Sequence, residues 1–333
     1  MQLTNTSPTN HPSLTNLNTL HIIVNIGMQV EKVALVTGSS RGIGFETSLL
    51  LSKSDFITYA SMRNLGKSGT ITEIANRENL PLQVVQLDVN SDISIEDAIS
   101  KIIEEKGRID VLVNNAGYGL FSPIEEVTLD QVNEQFETNF FGVVRLTKEV
   151  LPIMSQQRKG TIVNVSSGVG RVGMPLSSAY AATKFALEGL SESIRYELNE
   201  FGINIAIIEP GVIKTNFVEN SRTAHYTSNF ESPYMDLIER TMKGFGVLMD
   251  NSSHPKLVAK AILDAITSKE HEVRVGDDAR SIMEVRKSTS DKEFENWMYK
   301  SVPEKKGFVR DSCRKYWGNR IKVVIVTIAL WSH

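Results

Sequence analysis

Tyr180 and Lys184, four residues apart, are the first pair in this sequence whose types and spacing could do chemistry. They fall in a stretch, 179–200, that reads as helix, and residues i and i+4 share a helix face. A free phenol has a pKa of about 10, too high for a base near neutrality. A neighbouring ammonium stabilises the phenolate and is expected to lower that value, giving a general acid/base. Taken alone the spacing says little, because Tyr and Lys meet this way on many helices. Two hydroxyls upstream, Ser166 and Ser167, sharpen it. They close a run that reads as a strand, and carboxyl ends of strands are where open α/β sheets bind ligands. On the residues alone, either serine could present a hydrogen bond to the group that Tyr180 serves.

The elements that must position these groups alternate along the chain. Short Val/Ile-rich runs at 32–37, 56–61, 82–88, 111–114, 161–166, 203–209 and 272–275 are apolar almost throughout, the pattern of strands buried on both faces. Between them lie helical stretches at 43–53, 95–105, 129–157 and 179–200. In the second of these Ile95, Ala98, Ile99, Ile102 and Ile103 recur at spacings of three and four. Strand–helix repetition predicts an α/β fold in one domain: a doubly wound, mostly parallel, seven-stranded Rossmann sheet with helices on both faces. The domain is expected to run over 28–303. Within it, 215–253 has weak periodicity and is expected to form a mobile cover.

After the first strand comes Thr37-Gly38-Ser39-Ser40-Arg41-Gly42-Ile43-Gly44. Glycines between a strand and a helix let backbone approach a pyrophosphate, and the helix's first N–H groups then face the anion. A glycine cluster is weak evidence by itself. Its place at the head of the alternating region makes this one a nucleotide site.

The TGxxxGxG spacing, together with Asn114-Asn115-Ala116-Gly117, Ser167 thirteen residues before Tyr180, and Pro210-Gly211-Val212-Ile213-Lys214-Thr215, resembles the short-chain dehydrogenase/reductase family over roughly 28–278. The resemblance implies an oxidoreductase that moves a hydride between nicotinamide and a carbonyl/alcohol pair. It implies that Gly38, Ser40, Arg41, Gly42, Ile43 and Gly44 hold the cofactor's phosphates, that Asp88 and Val89 meet adenine, and that Asn115, Ala116 and Gly117 line the cofactor. Pro210, Gly211 and Thr215 would border the nicotinamide. It selects Ser167 over Ser166, and Asn139 in Thr138-Asn139-Phe140-Phe141-Gly142 as the fourth catalytic residue beside Ser167, Tyr180 and Lys184. Tyr180 and Lys184 would also contact the cofactor, Lys184 at the nicotinamide ribose, and Asn139 would hold a water linking Lys184 to solvent. Ser54-Asp55 stands where many relatives place a glycine.

The second strand ends Tyr59-Ala60-Ser61-Met62-Arg63-Asn64, without the acidic residue that NAD sites use for the ribose 2′-OH. Arg63 offers a guanidinium there, and Arg41 adds a second charge, so the expected cofactor is NADP(H). Substrate walls are expected from 118–121, 168–175 and the cover, among them Tyr118, Leu120, Phe121, Val172, Phe217, Tyr226, Phe230 and Phe245. Such a lining favours an apolar substrate. The run 180–190, with Arg63 and the long cover, looks like hydroxysteroid and retinol dehydrogenases. Two other readings stay open: a 3-oxoacyl thioester reductase, and a non-catalytic NADP(H)-sensing protein.

Composition bounds the rest. The 333 residues carry a net charge of −3, which gives no electrostatic reason to expect nucleic acid. One cysteine, Cys313, allows no internal disulfide and suits a reducing, cytoplasmic setting. The histidines are scattered, and no metal-ligand spacing occurs, so no metal is expected. Residues 1–27 lack Asp, Glu, Lys and Arg and read as a disordered extension rather than a secretory signal, with Met28 as a candidate start. At the other end, 304–333 reads as a basic, then apolar tail. Its apolar run is too short to span a bilayer; it would pack on the domain or a partner subunit, or touch a membrane surface peripherally. The resemblance implies a homodimer or homotetramer and a small-molecule carbonyl or alcohol as partner.

Overall fold

The computed structural model describes residues 31–215, 217, 221, 232–268 and 271–301. The extension 1–27, Met28, the tail with Cys313, and Tyr226 and Phe230 of the expected cover lie outside the described residues.

Seven strands form one sheet in which every pair is parallel: β1 (Lys32–Val36), β2 (Phe56–Met62), β3 (Leu82–Gln86), β4 (Val111–Asn114), β5 (Gly160–Val165), β6 (Ile203–Pro210) and β7 (Glu272–Val275). Their order is β3-β2-β1-β4-β5-β6-β7. The direction of winding reverses between β1 and β4, the crevice where such sheets take their ligands. Ten helices are described: α1 (Gly42–Ser52), α2 (Gly69–Arg77), α3 (Asp92–Lys106), α4 (Leu129–Phe136), α5 (Gly142–Gln157), α6 (Ser178–Leu198), α7 (Met235–Asp250), α8 (Pro255–Ser268), α9 (Asp277–Ser288) and α10 (Asp291–Ser301).

Alternation within β1 shows why its run is apolar throughout. Val33 and Leu35 pack with Ile99 and Ile102 of α3 and Leu146 and Val150 of α5 on one face. Ala34 and Val36 pack with Leu51 of α1 and Val258 and Ile262 of α8 on the other. Successive strand residues point to opposite faces, so a sheet covered on both sides needs an apolar residue at every position.

Three local features depart from the simple periodic reading. The third strand ends at Gln86 rather than 88, because Asp88 closes a turn: its carboxylate accepts from the Asn90 N–H at 3.1 Å and its own N–H meets Ser94 Oγ at 3.0 Å. The expected helix 129–157 is two helices joined by a π turn, Glu137–Phe141. Asp55 has φ of 62°, the left-handed region, which is why a glycine suits this position. Asp tolerates that conformation better than most L residues.

Candidate active site

The buried face of α6 carries Tyr180, Lys184 and Glu188 at successive turns. Tyr180 and Lys184 are each only 7% exposed. The Lys184 ammonium donates to the Val165 carbonyl at the end of β5 at 2.8 Å, and lies 5.9 Å from the centre of the Tyr180 ring. Ser167 follows β5 in extended backbone and caps the turn Gly168–Gly170; its Oγ accepts from the Val169 N–H at 3.4 Å and lies 3.5 Å from the Pro210 carbonyl.

Burial pushes the Tyr180 phenol up to about 12, and a hydrogen bond from Ser167 works against that rise. The same dryness brings the Lys184 ammonium down to about 8, partly countered by the Glu188 carboxylate. This differs from the expectation that Lys184 lowers the phenol's pKa. The ammonium is committed to a backbone carbonyl, and loss of water outweighs its field at the phenol. Of the two serines, Ser167 is the one beside the Tyr180 phenol, where it favours the ionised form, while Ser166 is buried beside Glu188.

Asn139 sits inside the π turn, 1% exposed. Its Oδ1 accepts from the Tyr118 N–H at 3.1 Å, and its Nδ2 donates to the Tyr118 carbonyl at 2.9 Å and to Thr183 Oγ1 at 3.2 Å. Both amide hydrogens are thus spent, on the chain after β4 and on α6, and the oxygen accepts one bond. None of these bonds reaches Lys184, whose ammonium is engaged by the Val165 carbonyl.

The crevice at the β1/β4 switch fits a dinucleotide. Gly38 has φ of 69°, and a Cβ there would stand 3.0 Å from Ala116 Cα. A Cβ on Gly44 would stand 2.5 Å from both Asn115 Nδ2 and the Gly38 carbonyl. Only bare backbone closes the turn against the loop after β4. Thr37, the first residue of the motif and one given no role there, fastens the two: its Oγ1 accepts from the N–H groups of Asn115 at 2.9 Å and Ala116 at 3.0 Å, and Asn115 Nδ2 returns a bond to the Thr37 carbonyl at 2.8 Å. Asn114 instead bonds Asn164 at 2.8 Å and braces β4 to β5. Helix α1 opens at Gly42 with no side-chain cap and no acidic residue in its first turn, so its N–H groups suit an anion. Ser40 and Ile43 are half-buried on this turn.

Arg41 and Arg63 are exposed, and neither pairs with a carboxylate among the described residues. Asp88 and the buried Val89 end the segment after β3; Val89 packs against Gly142, where a Cβ would come within 2.9 Å. Gly117 faces Asn139, with 3.0 Å between its would-be Cβ and Oδ1. Beyond β6, Gly211 is held by Asp278, a residue that no motif flagged. The carboxylate accepts from the Val212 N–H at 2.6 Å and fills the space where a Gly211 side chain would stand. Thr215 lies across from Gly42, its Cγ2 3.2 Å from a Cβ built there.

Aromatic rings surround the Tyr180 phenol. Phe121 meets it edge-on at 5.7 Å, Phe217 lies at 5.7 Å, and Phe245 of α7 reaches Phe121 at 6.4 Å. The cover is tied to the loop 124–126 by Tyr234 to Glu125 at 2.5 Å and by Ser232 to Glu126. Two expected wall residues are core instead: Leu120 is 1% exposed, and Val172 packs with Met283 of α9 and Phe294 of α10.

The family profile described as short chain dehydrogenase matches residues 32–225. A 3-ketodihydrosphingosine reductase of Bacteroides thetaiotaomicron is 36% identical over 72% of this chain and 84% of its own length. Retinol dehydrogenase 8 of Bos taurus is 40% identical over 71% of this chain and 78% of its own. Among solved structures, a short-chain dehydrogenase from Streptomyces avermitilis superposes with a TM-score of 0.70 at 29% identity, covering 82% of this chain and 97% of that one. ElxO with NADP bound gives 0.64 at 28% identity, covering 75% and 99%. With the switch-point crevice, the hydroxyl pair and these likenesses together, the chain belongs to the short-chain dehydrogenase family of oxidoreductases.

Proposed function

We propose that this oxidoreductase uses NADP(H) to interconvert a carbonyl and an alcohol on an apolar, lipid-, steroid- or retinoid-like substrate. The observation that carries the reading is the placement of Tyr180, buried on α6 between Phe121 and Phe217 and beside Ser167 at the carboxyl end of β5. NADP(H) supplies or accepts the hydride when bound. In reduction, Ser167 and Tyr180 both donate hydrogen bonds to the carbonyl oxygen and stabilise its developing negative charge. Tyr180 then yields its proton, and Lys184, as an ammonium beside it, favours the resulting phenolate. Asn139 fixes the loop after β4 against α6 through Tyr118 and Thr183. In oxidation the same groups run in reverse, with Tyr180 as base.

The choice of NADP(H) rests on Arg41 and Arg63, on the lack of an acid at the end of β2, and on the likeness to ElxO, whose structure holds NADP. The aromatic walls, and relatives named for ketodihydrosphingosine and retinol, support an apolar substrate. The test is NADPH consumption against long-chain ketones, retinoid aldehydes, steroid ketones and 3-oxoacyl thioesters. Turnover on an apolar ketone or aldehyde supports the reading. Turnover on thioesters alone would move the substrate class, and NADPH binding without turnover on any member would favour a sensor.

A pH dependence follows. Reduction needs the protonated phenol and the ammonium. Tyr180, pushed up to about 12, stays protonated throughout the working range, whereas Lys184 loses its proton as pH rises through about 8. The reduction rate is therefore expected to hold level below about 8 and fall above it, while oxidation, which needs the phenolate, climbs with pH. Initial rates in both directions across the range check this; a reduction rate that rises above about 8 would contradict it.

A further inference from the structure

Behind the hydroxyl pair lies a charge cluster that the proposed reaction does not use. Glu188 is 5% exposed and Glu209, on β6, is fully buried. Arg171, in the turn just after Ser167, reaches three carboxylates: Glu209 at 2.9 Å, Glu272 of β7 at 3.0 Å and Glu188 at 3.3 Å. Arg274 takes the far oxygen of Glu209 at 2.8 Å and lies 3.6 Å from Glu272; Arg195 stands 4.0 Å from Glu272. Burying ions costs several kcal/mol each before pairing is counted. A leucine or glutamine at 188 would avoid that cost in a merely structural helix face.

The position of Glu188 gives it a purpose. It is one turn beyond Lys184, as Lys184 is one turn beyond Tyr180, so the three residues climb one buried helix face at backbone intervals of about 6 Å. Ser166, the neighbour of Ser167, closes the other side: a Cβ on Gly170 would stand 2.7 Å from Ser166 Oγ and 3.2 Å from Glu188 Oε1. The charged and polar groups near Glu188 are thus Ser166 at the end of β5, Arg171 in the serine turn, Glu209 on β6 and Glu272 on β7, with Lys184 one turn back on the same buried helix face, whose ammonium the Glu188 charge favours. We propose that Glu188 is a positioning residue, whose carboxylate, held by Arg171, keeps Lys184 in its ammonium form. The inference rests on the reading of Tyr180 and Lys184 as the proton-handling pair. Burial pushes Glu188 up to about 7, with Ser166 opposing the rise, Glu209 adding to it, Arg171 opposing it and Glu272 adding to it. Glu188 therefore carries its charge from neutrality upward, across the range where Lys184 would otherwise lose its proton.

The test is a direct titration of the full chain labelled with carbon-13 in glutamate and lysine side chains, the two signals assigned with Glu188→Gln and Lys184→Arg. In the unaltered protein Glu188 is expected to ionise near 7 and Lys184 to deprotonate near 8. In Glu188→Gln the Lys184 midpoint is expected to fall by about one pH unit, because an opposite charge within reach has been removed. The falling limb of the reduction profile should move down with it. An unmoved Lys184 midpoint in that variant overturns the proposal, since a carboxylate that only braces the fold would leave it in place. Should Glu188→Gln fail to fold, Ser166→Ala removes the hydroxyl that holds Glu188 down. The Glu188 midpoint should then rise and the Lys184 midpoint should fall with it, and a rise without that response would equally overturn the idea. Failure of the underlying reading looks different: Tyr180→Phe would keep its turnover, whatever the midpoints do.

Discussion

Tyr180→Phe is expected to lose turnover by about three to four orders of magnitude while still binding NADPH. Two separate losses combine in that figure. General acid/base catalysis by a placed side chain contributes about 10²–10⁴, and one hydrogen-bond donor to a developing alkoxide about 10²–10³. The two are not fully additive because one hydroxyl performs both. The variant keeps the ring, so the contacts with Phe121 and Phe217 remain, and only the oxygen beside Ser167 is gone. The site should stay folded and the crevice at β1 and β4, which Tyr180 does not build, should stay competent for the nucleotide. Single-turnover rates with saturating NADPH, beside a fluorescence titration of NADPH itself, separate the two quantities. A Phe variant that turns over at a near-normal rate would remove Tyr180 from the chemistry.

Arg63→Asp is expected to change the ratio of NADPH to NADH affinity by about a hundredfold in favour of NADH. A charge-assisted hydrogen bond is worth about 1.5–3 kcal/mol, or about 10–100-fold in affinity. An aspartate in that place would also repel a 2′-phosphate and accept from a 2′-OH. Arg63 follows the last residue of β2 and has no carboxylate partner among the described residues, so its removal breaks no ion pair there. Because the site is exposed, the effect should shrink as salt is raised. Dissociation constants for both cofactors at low and moderate ionic strength measure it. An unchanged NADPH affinity would assign the 2′-phosphate contact elsewhere, and Arg41→Ala would then be the variant to examine.

What the sequence made legible, and what it did not, divides along a physical line. Seven apolar runs and the glycine turn were readable because each depends on neighbours in sequence: side-chain alternation, helix periodicity and a turn that excludes side chains. The same holds for the spacing of Tyr180 and Lys184. Features made by tertiary contact were not. The π turn at Glu137–Phe141 exists where Asn139 is tied to the Tyr118 backbone, twenty-one residues away in sequence, and no local pattern encodes that. Glu188 and Arg171 carry no signal in the sequence, because the charged groups clustered around them, Glu209, Glu272 and Arg274, come from β6 and β7. Helices α9 and α10 cover Val172 and supply Asp278 to the backbone after β6, roles invisible in a polar stretch of sequence. The expected fall in the Tyr180 pKa failed for a related reason. Spacing places the ammonium near the phenol, but it does not show that both are dry or that the ammonium is engaged by the Val165 carbonyl.

The central claim is that an apolar carbonyl is reduced by a hydride from the nicotinamide and a proton from this chain. The most direct test of this is product analysis after reaction with NADPH deuterated at both C4 positions of the nicotinamide, using the apolar ketone or aldehyde that turns over fastest. Deuterium is expected on the carbinol carbon of the product, one label for each NADPH consumed, and none on that carbon when the label is supplied only in the solvent. Alcohol formed without the label, or NADPH oxidised without any alcohol, would contradict it.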